Sequence, residues 1–156
     1  MRFFLPFILA AGLLVTTPTA EAQVADGLRE LNASGAFTVT SGDIVVNTQG
    51  FLGFFLTDAI EVGPLVNLTI TENVSLVNLG GFAAYHFTAP GATSVPFVGA
   101  ELTAGLADAE GFVVGGLAGL KYFVAEGAAI VPSAFVRIPD EGDVSLGAQF
   151  GISIFF

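Results

Sequence analysis

The stretch Val144-Ser145-Leu146-Gly147-Ala148-Gln149-Phe150-Gly151-Ile152-Ser153-Ile154-Phe155-Phe156 decides the fold. Val144, Leu146, Ala148, Phe150, Ile152, Ile154 and Phe156 share one parity. Ser145, Gln149, Ser153 and two glycines occupy the other, with Phe155 as its one large apolar member. A side-chain period of two belongs to a strand, whose successive residues point to opposite faces. A helix would wind these polar positions around every side. The segment therefore reads as a strand with one continuous apolar face and one small or polar face.

The same alternation recurs upstream. In Leu31–Thr40, Asn32, Ser34, Thr38 and Thr40 oppose Leu31, Phe37 and Val39. In Ile44–Leu56, Asn47 and Gln49 oppose Val46, Leu52, Phe54 and Leu56, with Thr48 out of phase. Glu61, Asn67 and Thr69 oppose Val62, Val66, Leu68 and Ile70; Asn78 and His86 oppose Val77, Leu79, Tyr85 and Phe87. Within Val95–Ala107, Glu101 and Thr103 stand against Val98, Leu102 and Leu106; within Gly111–Phe123, Lys121 stands against Phe112, Val114, Leu120 and Tyr122. Ser133 and Arg137 oppose Ile130, Val136 and Ile138 within Ala128–Ile138. With the terminal stretch this makes eight segments, each long enough for a tilted membrane-spanning strand of about 9–11 residues.

The connections are short and rich in turn formers, such as Thr40-Ser41-Gly42-Asp43, Thr71-Glu72-Asn73, Ala125-Glu126-Gly127 and Pro139-Asp140-Glu141-Gly142-Asp143. Hairpin links between an even number of strands predict an all-β, eight-stranded, antiparallel up-and-down transmembrane barrel, which leaves no sheet edge exposed to lipid. Pro64 and Pro132 fall inside predicted strands. A missing N–H breaks a ladder bond, so strand ends or bulges are expected there.

Composition fits. Of the 156 residues, 53% are hydrophobic and 12% charged, about half the charge of an ordinary soluble domain. That apolar content excludes intrinsic disorder, and the absence of cysteine excludes a disulfide or zinc–thiolate framework. Four Lys plus Arg against 14 Asp plus Glu cannot assemble a phosphate-binding surface, so nucleic acid is not an expected partner. No cofactor is expected either, because the glycines follow strand parity and form no phosphate loop before a helix.

Residues 1–22 read as a cleavable signal peptide. Arg2 precedes an apolar run from Phe3 to Val15, and Ala20-Glu21-Ala22 offers a small-x-small cleavage site. The alternative, an uncleaved anchor helix, falls short of the roughly 20 residues that a helical span needs. Residues 23–30 are then a short N-terminal lead, and 31–156 the barrel.

Three features carry a resemblance to a known family. The first is the alternating C-terminal strand ending on Phe156, with Phe150, Ile152 and Ile154 on the same face. The others are Tyr85-His86-Phe87 followed by Val95-Pro96-Phe97-Val98-Gly99-Ala100, and Leu120-Lys121-Tyr122-Phe123-Val124. Together they resemble the small bacterial outer-membrane β-barrel superfamily of OmpA/OmpX-like, opacity-like and OmpW-like barrels. The resemblance implies that the last strand is a β-signal read by the barrel-assembly machinery and that the chain sits in outer-membrane lipid. Relatives usually carry Tyr and Trp girdles; here there are two Tyr, no Trp and 16 Phe, so Phe is expected in that role.

With both termini facing the periplasm, the outward connections hold Asp43, Glu72, Asp108, Glu110, Asp140, Glu141 and Asp143, and the periplasmic turns hold Asp58 and Glu126. The acid excess becomes an extracellular rim. It reads first as a solvated face and second as a divalent-cation site, although Asp140-Glu141-Gly142-Asp143 lacks the 12-residue pattern of an EF-hand.

Glu101, Lys121 and Arg137 are predicted to point into the lumen, where charge must be paired or hydrated. They read as an ion-pair plug, since eight strands leave room only for side chains or one small ligand, or as a gated polar path. Gly99, Gly105, Gly115, Gly119, Ala129, Gly147 and Gly151 also face inward and would favour a cavity. His86 with Thr88 could suggest acyl transfer, but a lone His at a periplasmic strand end reads better as a structural residue. Three functions follow in order: a non-enzymatic barrel with a structural or interaction role, a narrow pore or carrier for small solutes, and, last, a lipid-modifying enzyme.

Overall fold

The computed structural model describes residues 24–40, 43–70, 75–106 and 111–156, with side chains from 24–36 and from residue 45 onward. Residues 1–22, the side chain of Asp43, and Glu72, Asp108 and Glu110 lie outside what is described. Among the described residues, eight strands follow one another: β1 (Arg29–Thr40), β2 (Asp43–Phe55), β3 (Ile60–Ile70), β4 (Ser75–His86), β5 (Ser94–Gly105), β6 (Phe112–Ala125), β7 (Ala128–Pro139) and β8 (Ser145–Phe155). Each pairs antiparallel with its sequence neighbour, and the order closes into a barrel.

Closure depends on β1 and β8. Six registered pairs run from Glu30↔Phe155 to Gly35↔Phe150. Arg29 and Phe156 extend the seam by exchanging backbone N–H···O bonds of 3.0 Å in both directions. The first strand thus begins at Arg29, two residues inside the stretch expected as a lead. Composition hid this start, because Arg29-Glu30 looks like a charged linker while its parity continues that of Asn32.

Both prolines lie in strand interiors, and the expectation of a strand end or bulge is corrected. Pro64 stays registered with Gly81 of β4, while the β2–β3 ladder skips from Phe51↔Leu65 to Phe54↔Val62 without a change of register. Pro132 stays registered with Phe150 of β8, and the β6–β7 ladder skips from Gly119↔Ser133 to Tyr122↔Ile130. Each missing N–H costs pairing on one side of its strand only. Among the described residues the ladder shifts register instead between Phe123 and Ala125, next to the two-residue turn where Gly127 takes a φ of 75°.

Parity sorts the wall. Leu102, Val114, Phe150 and Ile152 are exposed on the outside, and Phe54, Tyr85, Phe87 and Tyr122 add aromatic side chains near the end that carries the termini. Tyr85 and Phe87 meet edge to face with ring centroids 5.1 Å apart. The opposite parity fills the interior and is the natural place to look for function.

Candidate functional site

The interior is built in levels, each taking one inward residue from several strands. At the termini end Phe55, Val95, Phe123, Ala129 and Phe155 form an apolar floor, with Val24 and Leu28 packed against it from the N-terminal segment. Gly27 and Leu28 hold that segment in place through backbone bonds with Phe55 at 3.0 Å each.

Above the floor lies a charged level. Lys121, Glu30, Glu61, His86 and Ser153 are all essentially fully buried. Lys121 Nζ donates to Glu30 Oε2 and, at 2.9 Å, to Glu61 Oε2. Ser153 Oγ donates to Glu30 Oε1 at 2.6 Å and accepts from Asn32 Nδ2 at 2.8 Å. His86 Nε2 stands 2.9 Å from Glu61 Oε2; since a carboxylate only accepts, the Nε2 atom carries the proton of that bond. The rings of Phe55, Phe97 and Phe155 surround the Lys121 ammonium at 5.2–5.5 Å from their centroids, so their π-faces add to its stabilisation.

The next level is apolar again: Leu65, Phe82, Ala84, Phe97 and Val131, with Phe51 and Leu117 against them. Phe51 and Phe82 pack with centroids 4.4 Å apart. Higher still, Arg137 Nε donates to Glu101 Oε1 at 2.6 Å, Gln49 Nε2 donates to Glu101 Oε2 at 2.6 Å, and Gln149 Nε2 donates to Gln49 Oε1 at 3.0 Å. The Arg137 guanidinium also lies over the Phe135 ring, 4.3 Å from its centroid.

Glu101, Lys121 and Arg137 thus all lie in the interior, but on two levels. Glu101 and Arg137 meet each other, whereas Lys121 pairs with Glu30 and Glu61. Sequence reasoning left Glu30, Glu61 and His86 out of the interior charges. The signal was present: Glu61 shares the parity of Asn67, His86 that of Asn78, and Glu30 that of Asn32.

The reading of the inward small residues as space for a cavity is corrected at Gly99, Gly115, Gly119, Gly147 and Gly151, where an added Cβ would meet neighbouring atoms. A Cβ on Gly115 would meet Glu101, one on Gly119 would meet Phe97 and Ser133, one on Gly147 would meet the Phe135 ring, and one on Gly151 would meet Ser34 and Asn32. Ala129 belongs to the buried floor. These small residues are the holes into which larger cross-strand side chains fit, as close packing requires.

The remaining predicted residues fall on the outside or at the ends. Phe150, Ile152, Ile154 and Phe156 are all exposed on the outer face. Asp140, Glu141 and Asp143 are exposed on the β7–β8 connection, at the end away from the termini, and Asp58 and Glu126 on turns at the termini end. Asp140 is partly engaged, its Oδ1 accepting from the backbone of Phe112 and Glu141 at 3.2 and 3.0 Å. His86 is walled in by Glu61, Phe55 and Phe97, while Thr88 is exposed beyond the end of β4.

No family model and no curated protein matches the chain. Solved structures do. The N-terminal β-barrel domain of OprF from Pseudomonas aeruginosa superposes with a TM-score of 0.66 at 24% identity, covering 84% of this chain and 98% of that one. Neisserial surface protein A gives 0.63 at 15% identity, covering 86% and 100%. A structure from the de novo design of transmembrane β-barrels gives 0.59 at 15% identity, covering 88% and 100%. By these likenesses the chain has the fold of the small eight-stranded transmembrane β-barrels.

Proposed function

We propose that the protein is an integral barrel of the bacterial outer membrane with a structural or interaction role in the cell envelope, and that its lumen does not conduct. The observation that carries this reading is the charged level at Lys121. One ammonium held between the carboxylates of Glu30 and Glu61, all three essentially fully buried, lies between two apolar levels that include Phe55, Phe155, Phe82 and Phe97. A permeating ion would have to displace that group and cross two levels of buried apolar side chains. A narrow pore or carrier is the weaker reading for this reason.

An enzymatic role is weaker still. His86 is buried between Phe55 and Phe97 and bonded to Glu61, where no lipid substrate can approach its ring. The acidic outer connections favour an interaction role at the surface. The exported state would follow from residues 1–22, and insertion from recognition of the Phe150–Phe156 face by the barrel-assembly machinery, with membrane lipid as the permanent partner.

Single-channel recording of the reconstituted protein tests the reading. A silent bilayer, together with heat-modifiable mobility of the same sample on gels, is the expected result. Stepwise ohmic conductance from a folded sample overturns it.

A further inference from the structure

Above the Glu101–Arg137 level the lumen opens into a cup of about 630 Å³ at the end away from the termini. Its lining includes the amides of Asn47, Asn67 and Asn78, the hydroxyls of Thr69 and Thr103, and the guanidinium of Arg137, with aliphatic side chains between them. Some of these groups satisfy one another, as where Thr69 Oγ1 donates to Asn47 Oδ1 at 2.9 Å. Asn67 differs. It is only 6% exposed, it lines the cup, and its Oδ1 has no hydrogen-bond partner among the described residues. A buried amide oxygen without a donor forfeits the hydrogen bond it would make to water. The oxygen is itself buried, so a donor in the cup reaches it through a turn of the Asn67 amide toward the opening.

The chemistry of the lining selects that donor. Amides and hydroxyls both donate and accept, so they match a ligand whose groups do both, and hydroxyls are such groups. The charge of Arg137 is already engaged by Glu101 at 2.6 Å, and Asp143 joins the lining while Asp140 and Glu141 stand exposed on the same connection. An anion would be repelled by this rim. The volume lies within the roughly 300–1,000 Å³ of small-molecule sites.

We propose that the cup binds a neutral, polyhydroxylated solute the size of one or two sugar rings, with one hydroxyl donating to Asn67 Oδ1. Binding ends at the Glu101–Arg137 level and needs no passage through the barrel, so it stands independently of whether the lumen conducts.

The test uses the full chain in dodecylphosphocholine, a detergent without a sugar head group. Saturation-transfer NMR is run with glucose, galactose, N-acetylglucosamine, maltose, methyl glucoside and glucuronate. Transfer to at least one neutral sugar is expected, with a Kd on the order of 1 mM. Asn67→Leu should weaken it about tenfold or more, and Asn78→Phe, which fills the cup, should abolish it. Heat-modifiable mobility establishes that each variant is folded, and Asn78→Phe keeps the test decisive where Asn67→Leu does not fold. Binding of methyl glucoside equal to that of glucose assigns the site to the end of a glycan chain; weaker binding assigns it to a free sugar. Transfer to none of the neutral sugars, unchanged binding in the folded variants, or a preference for glucuronate over glucose each overturns the proposal. Conductance accompanied by sugar binding would overturn the non-conducting reading alone.

Discussion

The Lys121 ammonium on β6 donates to Glu61 Oε2 on β3 at 2.9 Å, joining strands that stand three places apart around the closed barrel. Hydrogen bonding between neighbouring strands cannot make this connection. It is a cross-lumen tie, and Lys121 shares it with Glu30 on β1 and, through Glu61, with His86 on β4. With Ser153 on β8 donating to Glu30, five strands are thereby fixed relative to one another by one buried cluster.

Removing the cation from such a cluster leaves two buried carboxylates facing each other. Breaking a buried pair by deleting one partner costs about 3–5 kcal/mol, so Lys121→Met is expected to destabilise the folded barrel by that amount. Adding Glu30→Gln to Lys121→Met should recover roughly half of the loss, because the two sites are directly coupled. Reversible urea unfolding in lipid vesicles measures both. A single variant within 1 kcal/mol of the parent, a limit set by the weak net worth of exposed ion pairs, would sink the idea that the tie is structural.

Strand number, order and facing are legible in the sequence because a barrel wall separates two environments, and every second residue must suit one of them. The alternation of Asn47 and Gln49 against Phe54 and Leu56 is that constraint written out. The interior partnerships are not legible, since parity says that Glu101, Lys121 and Arg137 share a face but not at which height each sits. Height depends on the stagger between strands, which places Lys121 level with Glu30 and Glu61, and Glu101 level with Gln49 and Arg137. Glycine is ambiguous for a related reason. An inward glycine can border a void or receive a neighbour's side chain, and only the three-dimensional register decides.

That ambiguity yields a paired prediction. A Cβ on inward Gly119 would lie 2.7 Å from the Pro132 carbonyl and 2.8 Å from the Phe97 ring, whereas one on outward Gly81 meets nothing nearer than 3.4 Å. Gly119→Ala is expected to cost about 1–3 kcal/mol as overpacking. Gly81→Ala is expected to be neutral or to stabilise by about 0.4–1 kcal/mol, through the lower entropy of the unfolded chain. The same unfolding assay reads both, and equal effects at the two sites would contradict a filled interior at Gly119.

Phe155 and Phe156 are adjacent and do opposite things. Phe155 is 7% exposed in the floor, while Phe156 is 61% exposed on the outer face. Phe155→Ala should lose about 3–5 kcal/mol of stability. Phe156→Ala keeps both backbone bonds to Arg29 and should leave refolding in vesicles nearly unchanged, yet lower the yield in the outer membrane of a bacterial host. Unchanged cellular yield for the second variant would argue against a C-terminal recognition signal.

Depth dependence tests the orientation of the wall in lipid. Val98 is exposed near the middle of β5, and Leu146 is exposed at the end of β8 away from Phe156. A lipid-facing arginine costs about 2–4 kcal/mol at the bilayer midplane and about 0–1 kcal/mol near the interface, where its side chain reaches water. Val98→Arg is therefore expected to lower folding stability in vesicles by several times the effect of Leu146→Arg. Thinning the bilayer with shorter acyl chains should shrink the Val98→Arg penalty, because the guanidinium then lies nearer to both interfaces. Equal penalties, or no response to bilayer thickness, would mean that the apolar face at Val98 does not sit at the centre of the membrane.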